Sequence, residues 1–576
     1  RRVASAMRFR GLRVTVGMMG MAALMLGHAQ PLRADTLESG SPSAALGAAL
    51  QALNTNVLPG VVARGEAALV RSVYQRVGPT LLWRTRGQLS PQARELLEIL
   101  HGADTWGLLP TDYDVDRLTA TAAKMGSTPA QTDVARFDVG LTQVAARFIS
   151  HLHYGRIDPR AAGFELTAPR DDLDIAAAVA TLATTLSVGE DIARVEPHFY
   201  HYSLLKTALL HYRFLAANPA LTQLPAVGKR TLHEGDYYPG APALRKLLMA
   251  EADLSTADGE LTDANPVLDA ALVAALKKFQ ERHGLRPDGD LGAGTFAALT
   301  TPMAQRVRQI ELTLERWRWL PAFDTPPIIV NIPEYRLFAF DTTADRVASI
   351  LQMPVIVGQT YPSKRTPIFV GDLKYVVFRP YWDIPRSITV QEMLPKIRAD
   401  SKYLLRNQLE IVRGERDDAA VLQPTPDIVA ALAAGALRLR QRPGDDNALG
   451  LIKFLFPNTH NVYMHSTPAH QLFEAPRRAF SHGCIRLSDP AALAAYALRN
   501  ATTPWDRAQI DAAMHATNSL RVELRKPIRV MILYGTAMAT EAGPVQFFDD
   551  IYGHDRKLEG LLELRPVNST SVYDRL

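Results

Sequence analysis

One cysteine with two nearby histidines is the part of this sequence that is best suited to covalent chemistry. Cys484 is the single cysteine of the chain; His482 lies two residues before it and His465 lies further upstream. A thiolate attacks carbonyl carbon, and a base or a positive neighbourhood lowers the thiol pKa enough to form it. These residue types predict that Cys484 is a nucleophile that forms an acyl-enzyme, with the two histidines as candidates to lower its pKa.

The residues around the cysteine have types that suit the same chemistry. Gly483 allows the backbone to turn sharply, and its amide or that of Cys484 is a candidate donor to an oxyanion. Ser481 and Ser466 are short polar groups able to orient an imidazole or contact a substrate. Arg486 follows the cysteine by two residues, so in an extended run both side chains share a face. We expect Arg486 to hold a substrate carboxylate or carbonyl.

The C-terminal half that carries this motif is predicted to contain a mostly antiparallel sheet or barrel. β-Branched and aromatic residues cluster in short runs that Gly, Pro and Asp interrupt, which is typical of strands. The runs are 326–341, 353–358, 366–382, 461–466 and 528–537, with predicted helices at 387–398, 403–409, 425–437 and 490–499. The long segment from about 399 to 450 is predicted to be an insertion that could cover a site.

The N-terminal half is predicted to be helical. Apolar residues at helical spacing predict helices at 93–110, 139–159 and 195–219, within a scaffold domain that covers 44–235. A small three-helix unit follows at 240–302, and then a connecting helix at 303–325. We predict no metal site in either half.

Composition places few limits on function. A chain of 576 residues is long enough for two to four domains. A net charge of +5 on such a chain does not indicate nucleic-acid binding. Residues 1–34 carry arginines, then a short apolar run at 14–26 and small residues, which is the layout of a secretory signal peptide. A retained membrane anchor, and so membrane association through the N-terminus, is the alternative.

The motif resembles that of the L,D-transpeptidases with a YkuD-type catalytic domain. Those enzymes carry a histidine, then Ser/Thr-His-Gly-Cys, an apolar residue and Arg or Asn; His465 and SHGCIR (481–486) match this pattern. Many members have glycine directly after the first histidine, where this chain has Ser466. That difference, with runs such as RWRWLP (316–321) and YWDIPRSI (381–388), resembles the YcbB-like multi-domain branch. FQERHGLRPDGDLGAGT (279–295) resembles a peptidoglycan-binding domain.

The resemblance implies a multi-domain α+β fold. Its catalytic domain would be β-sandwich-like and cover 326–576, with the helical insertion capping the substrate. An α-helical scaffold domain and a three-helix peptidoglycan-binding domain would precede it. Cys484 would attack the bond between the diamino acid and D-Ala of a tetrapeptide stem. Transfer of the acyl group to an amine would then form a 3→3 cross-link.

The resemblance also implies partners and further site residues. Donor and acceptor peptidoglycan stems would be the substrates, carbapenem β-lactams would be covalent inhibitors, and the protein would be periplasmic and need no cofactor. His465 would be the general base, Ser466 would orient it, and His482 would help to shape the site. Tyr463 and Trp382 would line the groove.

The sequence leaves one alternative function open and disfavours two others. An L,D-carboxypeptidase or hydrolase would use the same thioester with water as acceptor, and the motif does not separate the two. A non-catalytic wall-binding protein is disfavoured by the intact His465, His482, Cys484 and Arg486. A papain-like protease is disfavoured because its cysteine precedes its histidine.

Overall fold

The computed structural model describes ten segments of the chain. They are residues 42–53, 65–125, 129–166, 173–255, 265–321, 325–341, 351–400, 402–499, 501–541 and 543–564. The predicted signal segment at 1–34 lies outside them. Within these segments, no helix is both long enough and apolar enough to cross a membrane.

The scaffold region is built from helices around one long buried helix. They are α1 (Pro42–Gln51), α2 (Glu66–Val77), α3 (Pro91–His101), α4 (Val115–Lys124), α5 (Gln131–Tyr154), α6 (Pro159–Ala162), α7 (Ile175–Leu182), α8 (Val188–Val195) and α9 (Tyr200–Ala216), with a hairpin of β1 (Arg84–Thr85) and β2 (Gln88–Leu89). The predicted helix at 93–110 is shorter, because Gly102 ends α3 and Gly107 takes a left-handed conformation that ends a following 3-10 turn. The predicted helices at 139–159 and 195–219 correspond to α5 and α9.

Three helices form the next unit, and a fourth follows it. They are α10 (Ala241–Ala250), α11 (Ala270–Arg282), α12 (Ala293–Leu299) and α13 (Met303–Trp317). The apolar side chains of this unit share one core with α9, α13 and the C-terminal strands of the chain; Phe279 and Phe547 both belong to it. Burial of apolar surface on both sides of the boundary therefore holds this unit against the catalytic region.

Helix α13 is a buried element and not a simple connector. Its side chains form two ion pairs with the C-terminal helix His554–Glu563: Arg316 with Asp555, and Arg308 with Glu559. Glu315 pairs with Arg318 at 3.2 Å and accepts the Ile157 backbone amide at 3.0 Å. Buried charges are tolerated only when they are paired and hydrogen-bonded. Helix α13 ends at Trp317, before the predicted limit at 325.

The catalytic region contains the remaining strands and helices. The strands are β3 (Ile328–Asn331), β4 (Arg336–Ala339), β5 (Leu351–Gly358), β6 (Val370–Phe378), β7 (Trp382–Asp383), β8 (Leu409–Arg413), β9 (Ala420–Leu422), β10 (Arg438–Gln441), β11 (Ile452–Leu455), β12 (Met464–His465), β13 (Ala479–Ser481), β14 (Ile485–Leu487), β15 (Leu520–Leu533), β16 (Ala537–Thr540) and β17 (Gly543–Phe547). The helices are α14 (Arg386–Ile388), a π-helical turn (Thr389–Met393), α15 (Leu394–Ala399), α16 (Tyr403–Arg406), α17 (Pro426–Ala434), α18 (Pro490–Leu498), α19 (Arg507–Met514) and α20 (His554–Glu563).

The main sheet closes on itself, which differs from the two-sheet sandwich that the resemblance implied. Eight strands follow one another in the order β5, β14, β12, β11, β6, β15, β3 and β4, and β4 pairs back to β5. Strand β13 adds to β5 outside this ring. Most pairs are antiparallel; β12 with β14, β15 with β3 and β13 with β5 are parallel. A closed sheet leaves few free edges, and its inward side chains form the core.

The insertion is a small subdomain that begins earlier than predicted. Strands β7, β10, β8 and β9 form a second sheet, and α14 to α17 pack on it around a core that includes Ile411, Leu432 and Leu439. It therefore starts at Trp382 and not near residue 399. The helix predicted at 387–398 belongs to this subdomain and not to the main sheet.

The buried carboxylate of Glu315 is expected to contribute strongly to stability. Glu315→Ala leaves Arg318 without its charge partner, so we expect the free energy of unfolding to fall by about 3–5 kcal/mol. Glu98→Ala, on the exposed face of α3, is the control and should change it by less than about 0.5 kcal/mol. Urea unfolding of the two variants measures the difference; equal midpoints would contradict this role for Glu315.

Candidate active site

Three polar side chains lie next to one another on the outer face of the closed sheet. In the strand register, His465 of β12 faces Lys453 of β11 on one side and Arg486 of β14 on the other. Side chains of residues opposite each other in a sheet lie on the same face. The neighbouring Met464 points into the core and is fully buried. Alternation along β12 therefore places His465 between two cations.

His465 is buried and held in one orientation. His465 is only 4% exposed, and its Nδ1 lies 2.5 Å from the backbone oxygen of Ser466. A proton on Nδ1 donated to that oxygen leaves the lone pair on Nε2. Burial, with the charge of Arg486, lowers the pKa of His465 to about 3. The imidazole is thus neutral and able to accept a proton.

Cys484 lies in the turn between β13 and β14 and is partly exposed. Its Sγ donates to the backbone oxygen of Asn461 at 3.8 Å, and not to the imidazole. Burial of the sulfur raises the pKa of the Cys484 thiol, while the Tyr463 amide and the charge of Lys453 act in the opposite direction. The resting site therefore holds a neutral thiol and a neutral imidazole, with no ion pair between them.

The turn that presents the cysteine depends on Gly483 and Ser481. Gly483 has φ of +119°, a conformation that side chains with a Cβ rarely adopt. Its amide donates to Ser481 Oγ at 3.0 Å, and Ser481 Oγ donates to the Cys484 backbone oxygen at 2.5 Å. Ser481 is 2% exposed, so it supports the turn and does not contact substrate as predicted. The engaged Gly483 amide is not an oxyanion donor in this structure; the Cys484 amide remains the predicted donor.

Two residues that the sequence reasoning missed clamp this turn from behind. Thr366 Oγ1 donates to the Gly483 backbone oxygen at 2.8 Å and accepts the Gly358 amide at 2.8 Å. The Tyr552 hydroxyl donates to the Gly358 backbone oxygen at 2.6 Å and accepts the Thr366 amide at 3.2 Å. These groups are buried, so each hydrogen bond provides a partner for a polar group that would otherwise be unsatisfied. The turn is consequently rigid.

Tyr463 contacts both Cys484 and Trp382, and the role of Tyr463 and Trp382 in lining the groove stays a prediction. Burial, together with the charge of Cys484, raises the pKa of the Tyr463 hydroxyl well above its usual range, while a hydrogen bond from Trp382 opposes the increase. Lys453 Nζ lies 4.0 Å from the centre of the Tyr463 ring. Trp382 begins the insertion, so its hydrogen bond to Tyr463 brings the small subdomain close to the sulfur that Tyr463 contacts.

His482 lies away from the sulfur, in a separate polar cluster. Its Nε2 is 2.8 Å from Glu392 Oε1 and 2.9 Å from Lys364 Nζ. Hydrogen bonding to His482 lowers the pKa of Glu392. Since Glu392 belongs to the π-helical turn of the insertion, His482 links the nucleophile turn to the insertion and does not act on the thiol.

Lys453 and Asn461 belong to the site although the sequence reasoning did not select them. Lys453 is the one charged residue in the apolar run LIKFLF (451–456), and this pattern could have identified it. Asn461 has a positive φ of 55°, which turns its carbonyl toward the thiol; no sequence signal marks it. Arg486 has a buried Nε with no protein partner among the described residues. Among the residues that the structure describes, no cluster of three or more His, Cys, Asp or Glu side chains could hold a metal ion.

Three family comparisons match consecutive parts of this architecture. Residues 326–510 match the L,D-transpeptidase catalytic domain YkuD, and residues 68–209 match a domain described as "Scaffold domain". Residues 249–299 match a "Putative peptidoglycan binding domain". The chain therefore contains a YkuD catalytic domain joined to a peptidoglycan-binding domain and a scaffold domain.

A curated relative agrees with this domain assignment. A protein of Haemophilus influenzae (strain ATCC 51907 / DSM 11121 / KW20 / Rd) with the name "Putative L,D-transpeptidase" is 31% identical over 260 residues. The alignment covers 45% of this chain and 50% of the relative, so the chain spans about half the length of that protein.

The Gly483 turn provides a direct test of the site. An alanine at position 483 would have to keep a strained φ, and its Cβ would lie 3.4 Å from the Arg365 backbone oxygen. We therefore expect Gly483→Ala to shift Cys484. We expect at least about a 100-fold loss of activity, because small displacements of a reacting group are costly. Gly560→Ala, at a helical glycine with open space around it, is the control and should keep full activity. Equal activity of the two variants would show that the turn geometry is unimportant.

The protonation state of the site can be tested by alkylation of its single cysteine. Because burial raises the thiol pKa, the rate with iodoacetamide should rise continuously from pH 7 to pH 9. Lys453→Met removes a charge that lowers that pKa and should slow alkylation at pH 8 by roughly three- to tenfold. Lys374→Met, at an exposed lysine of β6, is the control. A rate plateau below pH 7 would instead indicate a thiolate–imidazolium pair.

Proposed function

We propose that this protein is an L,D-transpeptidase that forms 3→3 cross-links in peptidoglycan in the periplasm. The observation that supports it most is the thiol of Cys484 in a rigid turn, one strand away from a buried neutral histidine, inside a domain that matches the YkuD catalytic domain. The peptidoglycan-binding match supports the same substrate class.

The reaction would begin at the bond between the diamino acid and the terminal D-Ala of a tetrapeptide stem. Substrate binding displaces the thiol from its contact with the Asn461 oxygen, and His465 Nε2 accepts the thiol proton as sulfur attacks the carbonyl carbon. The Cys484 amide donates to the oxyanion. Collapse of the tetrahedral intermediate breaks the C–N bond, and the imidazolium returns the proton to the departing D-Ala amine.

The second half of the reaction would transfer the acyl group. The side-chain amine of an acceptor stem attacks the thioester carbon, His465 takes a proton from that amine, and the thiol leaves as the new amide forms. Lys453 and Arg486 stabilise negative charge on the Cys484 sulfur in both halves of the reaction. Their positive charges are already in place in a partly desolvated site, so the site does not have to reorganise as the charge develops.

The insertion would determine whether amine or water resolves the thioester. Trp382 and the Glu392–His482 contact hold it over the nucleophile, which restricts solvent access. The buried, unpartnered Nε of Arg486 suits a carboxylate of the donor diamino acid. A carbapenem would acylate the same thiol, because its strained amide carbonyl would occupy the position of the stem carbonyl.

Product analysis separates the candidate activities. We expect purified protein with disaccharide-tetrapeptide to form dimers that lack one D-Ala, identified by mass spectrometry, and Cys484→Ala to form none. His465→Gln should lower the rate by at least about 100-fold, since the proton acceptor is lost. His515→Gln, at an exposed histidine that ends α19 outside the site, is the matched control and should keep full activity.

Other products would overturn the proposal in defined ways. Release of tripeptide alone would indicate an L,D-carboxypeptidase with water as acceptor. Absence of any product that depends on Cys484 would exclude an enzymatic role in this reaction.

A further inference from the structure

A cleft separate from the catalytic cysteine lies between the peptidoglycan-binding unit and the closed sheet. It is a cavity of about 710 Å³. One wall comes from the end of α11 and the residues after it, including His283 and Arg286. The other wall comes from the turn into β4, with Tyr335 and Arg336, and from the segment before β13, with Arg478. Cys484 is not part of either wall.

Buried polar bonds fix the α11 wall against β17, so this side of the cleft is preformed. Arg282 at the end of α11 pairs with Asp253 at 2.6 Å and donates to the Val545 backbone oxygen of β17 at 2.9 Å. The ring of His283 stacks on Phe279, with centroids 3.8 Å apart, and also faces Phe547. A preformed cavity binds ligand without the entropy cost of ordering its walls.

The cleft has an excess of positive charge on the sheet side. Burial, with the nearby charge of Arg336, lowers the pKa of the Arg478 guanidinium, which donates only to backbone oxygens. Arg336 lies 3.5 Å from Glu334, but burial raises the pKa of that carboxyl to about 7, so it carries only part of a charge near neutral pH. Two guanidinium groups without a full counter-charge favour an anionic ligand.

Two polar atoms of the walls also lack partners among the described residues. The Tyr335 hydroxyl and His283 Nε2 are both buried and unpaired. His283 Nδ1 lies 2.7 Å from the Phe279 backbone oxygen, which makes Nε2 an acceptor. Unpaired buried groups cost free energy, which a ligand with amide donors and acceptors would recover.

We propose that this cleft binds a carboxylate-bearing peptidoglycan stem peptide that is distinct from the stem that reacts at Cys484. Carboxylate groups of the stem pair with Arg336 and Arg478, and its amide groups bond to Tyr335 and His283. The peptidoglycan-binding unit thus forms its ligand site jointly with the catalytic region and is more than a spacer. This inference rests on the proposed function, because it takes peptidoglycan as the substrate polymer.

Calorimetric titration of the full chain with disaccharide-tetrapeptide tests the proposal. Carboxymethylation of Cys484, the single cysteine, first blocks the catalytic groove. We expect binding to persist, to weaken with added salt, and to weaken roughly tenfold in Arg336→Gln. Arg529→Gln is the matched control: Arg529 also lies on a strand and pairs with a carboxylate, and its side chain is 31% exposed against 37% for Arg336. The disaccharide without its peptide should bind at least about tenfold more weakly.

A second pair of variants separates ligand binding from folding. Tyr335→Phe removes an unpaired buried hydroxyl, so it should not lower the unfolding midpoint, but it should weaken binding roughly three- to tenfold. Tyr212→Phe removes another buried unpaired hydroxyl outside the cleft, so it also should not lower the midpoint and should leave binding unchanged.

The outcomes distinguish this inference from the proposed function. Loss of all binding on carboxymethylation, or equal binding by Arg336→Gln and the unsubstituted protein, would overturn the cleft site even if cross-linking by the native enzyme is intact. Binding that depends on Arg336 in a protein without transpeptidase activity would support the cleft and refute the proposed function alone.

Discussion

The site depends on the register of a two-residue strand. Strand β12 consists of Met464 and His465, and their alternation sends the first side chain into the core and the second onto the outer face. A slip of one residue would turn the imidazole into the core and the methionine onto the outer face, which the hydrophobic core opposes. Pairing with β11 and β14 then brings Lys453 and Arg486 to either side of His465. Packing of the closed sheet thereby determines the electrostatics of the site.

Desolvation leaves this site uncharged at its centre until substrate arrives. Burial lowers the pKa of His465 to about 3 and raises that of Cys484, so neither group ionises alone near neutral pH. The positive charges of Lys453 and Arg486 favour the thiolate form of Cys484. Transfer of its proton to His465 would create a third positive charge between them, which they disfavour. A thiol that stays protonated at rest is protected from oxidation, since oxidation requires thiolate. The nucleophile would form only when a carbonyl carbon is in place to accept it.

The regions of the chain are joined by shared cores and not only by linkers. Ile157 and Phe164 of the scaffold region belong to the core of the closed sheet. In helix α13, Arg316 pairs with Asp555 of α20, and Glu315 accepts the backbone amide of Ile157. The core that the peptidoglycan-binding unit shares with α9, α13 and the C-terminal strands fixes the orientation of that unit, and the cleft that we assign to a second stem exists only because this orientation is fixed.

The sequence by itself predicted a nucleophile, a general base and a domain order. Cys484, His465 and Arg486 are recognisable because their spacing around a turn is rare, and the α+β class follows from periodicity that local backbone geometry imposes. Tertiary structure alone decided that the sheet closes through β4 and β5, that the insertion starts at Trp382, and that His482 faces Glu392. It also engaged the Gly483 amide with Ser481 and brought Lys453 to the site. The physical reason is that strand pairing and hydrogen-bond partners join residues far apart in the chain, and no local pattern specifies those partners.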